Sequence, residues 1–130
     1  MLLKIDDIIK KYVGIPFVKN GRYYKTGLDC VGLLLCIAKE LDYYLPDVID
    51  SNFDFCKYGD EIDVINGILE PLDVLIFKDE NNDLHIGIYL GGNRFLHAVE
   101  NSYIKISLLL GTHKRRLIGA WRWRLELNFQ

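Results

Sequence analysis

HIGIYLGGNRFLHAV, residues 85–99, carries two histidines on either side of a turn, and the length of that turn decides what they can do together. In the first arm His85, Gly87 and Tyr89 alternate with Ile86, Ile88 and Leu90, the period of a strand whose second face is the more apolar one. In the second arm His97 alternates with Leu96 and Ala98. A three-residue loop of Gly91, Gly92 and Asn93 pairs Leu90 with Arg94, Gly87 with His97 and His85 with Val99, which puts both imidazoles on one face as diagonal neighbours. A five-residue loop keeps that parity. A two- or four-residue loop pairs Ile88 with His97 and sends the rings to opposite faces. Two glycines and an asparagine suit the three-residue form, with a left-handed bulge position. Each histidine taken alone also reads as a strand residue satisfied by backbone.

Around this hairpin the chain keeps a period of two or runs in short apolar stretches: DVLIF from Asp73, YIKISLL from Tyr103 and AWRWRLEL from Ala120. In the last, Trp121, Trp123 and Leu125 are expected to face the core, with Arg122, Arg124 and Glu126 toward water. His113 falls in a loop between strands. Upstream the period is helical. Leu2, Ile5, Ile8, Ile9 and Tyr12 make one stripe of a first helix ending near Gly14. Residues 15–27, with Pro16, Asn20 and Gly21, read as a loop, and residues 30–41 as a helix apolar nearly all round, the mark of a central position. Residues 50–66 hold at most one more short helix. Helices followed by a meander of strands predict an α+β domain, with N-terminal helices packed on a central antiparallel sheet. One domain over residues 1–130 is expected from the length.

The helix start reads KTGLDCVGLLLCIAKEL, residues 25–41. Asp29 suits the N-cap, which leaves Cys30 at the first helical position, where the positive end of the helix favours a thiolate and lowers its pKa. Cys36 points some 120° away, inside the helix, where a thiol is inert. Cys56 lies in a polar segment and fits either role. A free cysteine is more often a small core residue than a nucleophile. A nucleophile needs a base within reach and a group that orients the base, and His85 with His97 can supply both.

These residues resemble a known family, the NlpC-type cell-wall cysteine peptidases, papain-like hydrolases of bacteria and their phages. The resemblance rests on GIPF before the loop, GLDCVGLL at the helix start, LDVLIF, HIGIYLGGNRFLHA and LIGAWR, in that order along nearly the whole chain. The GRYY loop and LPD after the helix are similar to the phage-encoded cell-wall peptidase subgroup. The resemblance implies a papain-like fold, with Cys30 as nucleophile, His85 as base and His97 as the residue that orients it. It also implies cleavage of peptidoglycan stem peptides beside a γ-linked D-glutamate, through a thioester, with no cofactor and no metal. Where many members have a Tyr near the nucleophile this chain has Phe17, with Tyr23 or Tyr24 as an alternative hydroxyl. Phe17, Tyr23, Tyr24 and Asp29 are therefore the expected substrate-binding residues. Leu72 stands where a Gly is usual.

Composition narrows the alternatives. Sixteen Lys and Arg against eighteen Asp and Glu give a net charge of -2, so no nucleic-acid partner is expected. The longest apolar run is too short to span a bilayer, and the N-terminus lacks an export-signal pattern. The expected chain is made in the cytoplasm. It reaches the wall with a phage virion or tail, whose proteins would be partners, or through a secretion apparatus. Three cysteines without a CxxC pair support neither a disulfide framework nor a structural zinc site. Two other functions stay open: an amidase or acyltransferase using the same triad on another amide or ester, and an inactive structural component of a tail.

Overall fold

A computed structural model describes residues 3–125 of the chain; Leu2 and Glu126 therefore lie outside the described residues. Helix α1 spans Ile5–Tyr12. Asp6 and Asp7 in its first turn and Lys10 and Lys11 in its last complement its dipole, while Ile8 and Tyr12 supply the buried stripe. Strands β1 (Arg22–Tyr23) and β2 (Gly27–Leu28) form a small ribbon in the loop that follows. Helix α2 spans Cys30–Glu40, and its buried Leu33, Leu34, Ile37 and Ala38 place it centrally, as its apolar character predicts. It ends where Asp42 takes a left-handed φ of 54° and the Tyr43 N–H returns to the Ala38 carbonyl at 2.8 Å. That is a Schellman-type stop with aspartate in the place glycine usually fills. The Tyr12 hydroxyl and Lys11 both reach Glu40, which ties the end of α1 to the end of α2.

The remaining strands are β3 (Gly59–Ile62), β4 (Val74–Lys78), β5 (Leu84–Gly91), β6 (Arg94–Ala98), β7 (Ile104–Leu108) and β8 (Leu117–Trp123). They build one six-stranded sheet in the order β3-β8-β4-β5-β6-β7, antiparallel at every step. Helix α2 lies across β5 and β6. Its apolar side meets Ile86, Ile88, Leu96, Ala98 and Ile104, all within 1 % of full burial. Each of the Ile and Leu side chains among them contributes about 1.5–3 kcal/mol when taken out of water, so this face is where the fold is held. The opposite face carries a second cluster of Leu75, Phe77, Tyr89, Phe95, Leu109 and Ala120. The α+β class and the antiparallel sheet follow the sequence pattern.

Local detail goes beyond or departs from the sequence pattern at four places, the first of them adding a strand to the short helix expected there. Residues 50–66 contain a 3₁₀ turn, Phe55–Lys57, and then β3, because Gly59 lets the strand lie directly against Trp121: a Cβ there would come within 2.3 Å of the indole. The loop assigned to His113 is a short helix, α3 (Gly111–Arg116). The last strand starts at Leu117 and ends at Trp123, so Leu125 is 50 % exposed and not a core residue. Nor is Arg122 simply solvated. Its guanidinium makes two hydrogen bonds of 2.8 Å to Asp73, a carboxylate only 2 % exposed. Leu72, just before it, has a φ of +80°, and the Asp73 N–H reaches the Glu70 carbonyl at 3.0 Å. This turn places its third residue in the left-handed region, which is the physical reason a glycine suits that position.

Candidate active site

The hairpin of residues 85–99 has the parity that brings its histidines together, but not through the loop expected. Gly91 pairs with Arg94, leaving Gly92 and Asn93 as a two-residue turn with φ values of 60° and 59°. A register shift between Tyr89 and Gly91 then absorbs Leu90 as a bulge, and Gly87 comes opposite His97. One bulged residue thus reverses the parity that an even loop would impose. His85 and His97 end as diagonal neighbours on one face, with His85 Nε2 2.8 Å from His97 Nδ1. On its far side His97 Nε2 lies 2.7 Å from the hydroxyl of Ser107 on β7. The gap beside Gly87 is filled by Phe95, whose ring lies 4.5 Å from that of His97, centroid to centroid.

Cys30 is the first residue of α2, and the Asp29 N-cap accepts the Gly32 N–H at 2.8 Å. The same carboxylate receives the Asn20 N–H at 2.8 Å and the Arg22 guanidinium at 2.8 Å, so it fastens the preceding loop to the helix start. The approach is close enough to exclude side chains at two positions. A Cβ on Gly32 would come within 2.0 Å of the Gly21 carbonyl, and one on Gly21 within 2.3 Å of the Gly27 carbonyl. The chain after α1 runs along the start of β7, with the Phe17 N–H on the Ser102 carbonyl at 3.0 Å. That run brings Phe17 to the mouth of the site.

Cys30, His85 and His97 line one cavity of about 820 Å³, together with Phe17, Asn20, Asp29 and His113. Tyr23 and Tyr24 do not line it. Tyr24 packs edge-on against Tyr12 with the Lys11 ammonium 4.3 Å from its ring centre, and Tyr23 is 53 % exposed. The β1–β2 ribbon carries both away from the cavity. Tyr43 is likewise structural: its ring packs on Trp121 and Trp123, and its hydroxyl meets the Tyr58 carbonyl. Asp79 accepts the N–H groups of Asn81 and Asp83 and so shapes the β4–β5 turn at the cavity rim.

Electrostatics differ from the expectation for a helix-borne thiol. Burial pushes the Cys30 thiol up to about 11; the N–H groups of Ile86, Val31 and Cys30 pull it down, and the Asp29 carboxylate adds to the rise. Burial pushes His85 down to about 4 and His97 to about 3, the latter helped by His85, His113 and Lys105. Desolvation disfavours every charged form, and here it outweighs the helix terminus. Among the described residues no hydrogen bond joins Cys30 to His85. Burial thus favours the neutral forms of the Cys30 thiol and of the His85 and His97 imidazoles.

Two residues at this site escape a reading of the sequence. Ser107 is visible only once β6 and β7 are in register, with Phe95 opposite Ser107 and His97 opposite Lys105. His113 reaches the cavity because α3 folds its ring edge-on to Phe95 and His97, at 5.2 and 5.6 Å.

A thiol at the start of a central helix, beside an antiparallel sheet whose hairpin carries paired imidazoles, defines the papain-like α+β class. Within it this chain belongs to the NlpC/P60 family, whose model matches residues 14–122. It is 31% identical over 118 residues to the gamma-DL-glutamyl hydrolase of Bacillus subtilis (strain 168), covering 88% of this chain and 27% of that protein. It is 30% identical over 97 residues to the probable endopeptidase NlpC of Escherichia coli (strain K12), covering 72% of this chain and 59% of that one. The chain therefore spans less than two thirds of these relatives. A solved NlpC/P60 family protein from Bacillus cereus ATCC 10987 superposes with a TM-score of 0.75 at 22% identity, over 95% of this chain and 41% of that one. This last likeness concerns the fold alone.

Proposed function

We propose that this chain is a cysteine peptidase of peptidoglycan stem peptides that cuts beside a γ-linked D-glutamate, at its bond to a diamino acid. Cys30 is the nucleophile, His85 the base and His97 the residue that orients it. The observation that carries this reading is the 2.8 Å contact between His85 Nε2 and His97 Nδ1, at the wall of the cavity that Cys30 lines. The names of the Bacillus subtilis and Escherichia coli relatives, a gamma-DL-glutamyl hydrolase and a probable endopeptidase, support the bond class. Delivery to the wall, by a phage tail or a secretion apparatus, belongs to the same reading.

With thiol and imidazole neutral at rest, the proton leaves Cys30 as sulfur attacks. His85 Nδ1 receives it while the S–C bond forms and the carbonyl oxygen becomes an oxyanion. The first-turn N–H groups of α2, among them those of Cys30 and Val31, serve as the donors to that oxygen in this reading. Collapse of the tetrahedral adduct breaks the amide C–N bond. The departing amine takes the proton from His85 and leaves a thioester on Cys30, which water then hydrolyses with His85 again as base. Contacts of this kind commonly tighten only when substrate is bound, which accommodates the open Cys30–His85 pair. His97 is neutral, so it orients His85 without the charge stabilisation that a carboxylate would add.

Digestion of purified peptidoglycan by the wild-type chain and by Cys30→Ala, with released fragments read by mass spectrometry, tests this function. Fragments ending at D-glutamate in the wild-type digest alone are expected. Release of other products by the same cysteine would move the assignment to an amidase or acyltransferase. Equal release by both proteins would refute it.

A further inference from the structure

We propose that Ser107 is a positioning residue. By accepting a hydrogen bond from His97 Nε2–H it fixes the tautomer of His97, and through His97 that of His85. This rests on the reading of His85 as the base.

Donors and acceptors alternate along one line from His85 through His97 to Ser107. His85 Nε2 faces His97 Nδ1 at 2.8 Å, which leaves His85 Nδ1 as the nitrogen free to serve the cavity. A base at Nδ1 must hold a lone pair there, so the ring proton of neutral His85 sits on Nε2 and is donated to His97. His97 Nδ1 must then accept, which puts the His97 proton on Nε2, 2.7 Å from Ser107 Oγ. The hydroxyl must accept in turn. If Ser107 donated instead, His97 would carry its proton on Nδ1, His85 would accept at Nε2, and the His85 proton would point into the cavity, where the base has to be empty. The state of the reactive nitrogen is thus linked to the orientation of a hydroxyl two strands away.

Nothing else beside His97 can take that role among the described residues. The ring is 5 % exposed, so water is a poor substitute. Phe95 and His113 pack against it at 4.5 and 5.6 Å between ring centres, and Lys105, its partner across the ladder, has no acceptor on its side chain. A buried N–H without a partner is costly, so the Nε2–H tautomer of His97 depends on the Ser107 hydroxyl as its acceptor. When His85 becomes an imidazolium its Nε2–H still points at His97 Nδ1, so the line of bonds persists through the reaction without rearrangement. Consecutive bonds of this kind polarise one another.

The test compares wild type with Ser107→Ala and Ser107→Thr. At pH 7, ¹⁵N spectra of the imidazoles should show His85 and His97 each protonated at Nε2 in the wild type and in Ser107→Thr, and a mixture of tautomers in Ser107→Ala. On a γ-D-glutamyl peptide, kcat should fall about 10- to 100-fold in Ser107→Ala with KM little changed, and Ser107→Thr should restore it. Unaltered ring spectra and unaltered kcat in a folded Ser107→Ala would overturn the assignment. A shifted tautomer pattern in Ser107→Ala, in a chain whose wild type cuts no stem peptide, would keep Ser107 in this role and remove the peptidase reading instead.

Discussion

Gly87 and His97 face each other across the β5–β6 hairpin even though the turn between the strands has an even number of residues, because Leu90 is bulged out of the ladder. The consequence is local and large: without the bulge every side chain of one arm would change face, and the two imidazoles could not touch. Gly87 has a second role, since the space beside it is occupied by Phe95, whose Cδ2 lies 2.7 Å from where a Cβ would stand.

Gly87→Ala should therefore destabilise the chain although alanine is ordinarily better in a strand. Phe95 is fully buried and held between Phe77, at 5.1 Å, and His97, at 4.5 Å, so it has little room to yield. Overpacking of this kind costs about 1–3 kcal/mol, and the displaced ring would push on His97. Urea midpoints and stem-peptide turnover should both fall; an unchanged or raised midpoint would show that the site relaxes freely.

The histidine pair makes stability depend on acid. Both folded pKa values, about 4 for His85 and about 3 for His97, lie below the ordinary value of 6.5, so the unfolded chain binds more protons between those limits. Stability is therefore full above pH 6.5 and declines as pH falls toward 4, by roughly 3 kcal/mol for each ring. Urea titrations at pH 7.5 and 5 should show the loss. The double variant His85→Gln, His97→Gln should flatten the profile over this range, and a wild-type midpoint constant over it would contradict the burial assigned to these rings.

Cysteine labelling should follow exposure and not position on the helix. Cys56 is exposed, whereas the Cys30 thiol is held up at about 11 by burial. Iodoacetamide at pH 7 should modify Cys56 well before Cys30, and the Cys30 rate should climb with pH through 9, as peptide mass spectrometry can follow. First labelling at Cys30, at a rate independent of pH above 6, would point to a thiolate–imidazolium pair already formed at rest.

Arg122→Ala should be among the more damaging changes far from the cavity. It strips two of the three 2.8 Å hydrogen bonds from a carboxylate that is 2 % exposed, leaving only the Glu70 N–H, and a buried charge that loses its ionic partner costs roughly 3 kcal/mol. Thermal unfolding measures it. A loss below about 1 kcal/mol would mean that water reaches Asp73 once the guanidinium is gone.

The first two helices, the run of strands from β4 to β7, the central position of α2 and the N-cap role of Asp29 are legible in residue spacing, because each depends on a local period or a neighbouring side chain. The histidine contact was legible in its parity and not in its cause, since an even turn plus one bulge gives the same facing as an odd loop. Ser107, His113 and the Asp73–Arg122 pair were not legible. Each depends on register or packing between segments far apart in the chain, which no local pattern encodes. The direction of the Cys30 shift was hidden for a related reason: the helix terminus is visible in sequence, while the depth of burial that outweighs it belongs to the assembled fold.

The most direct measurement is rapid acid quenching of the wild-type chain during turnover of a γ-D-glutamyl stem peptide, followed by intact and peptide mass analysis. An acyl adduct on the peptide containing Cys30, absent in Cys30→Ala and accumulating more slowly in His85→Ala by roughly 10²- to 10⁴-fold, is the predicted result. Turnover without any adduct, and undiminished in Cys30→Ala, would contradict it.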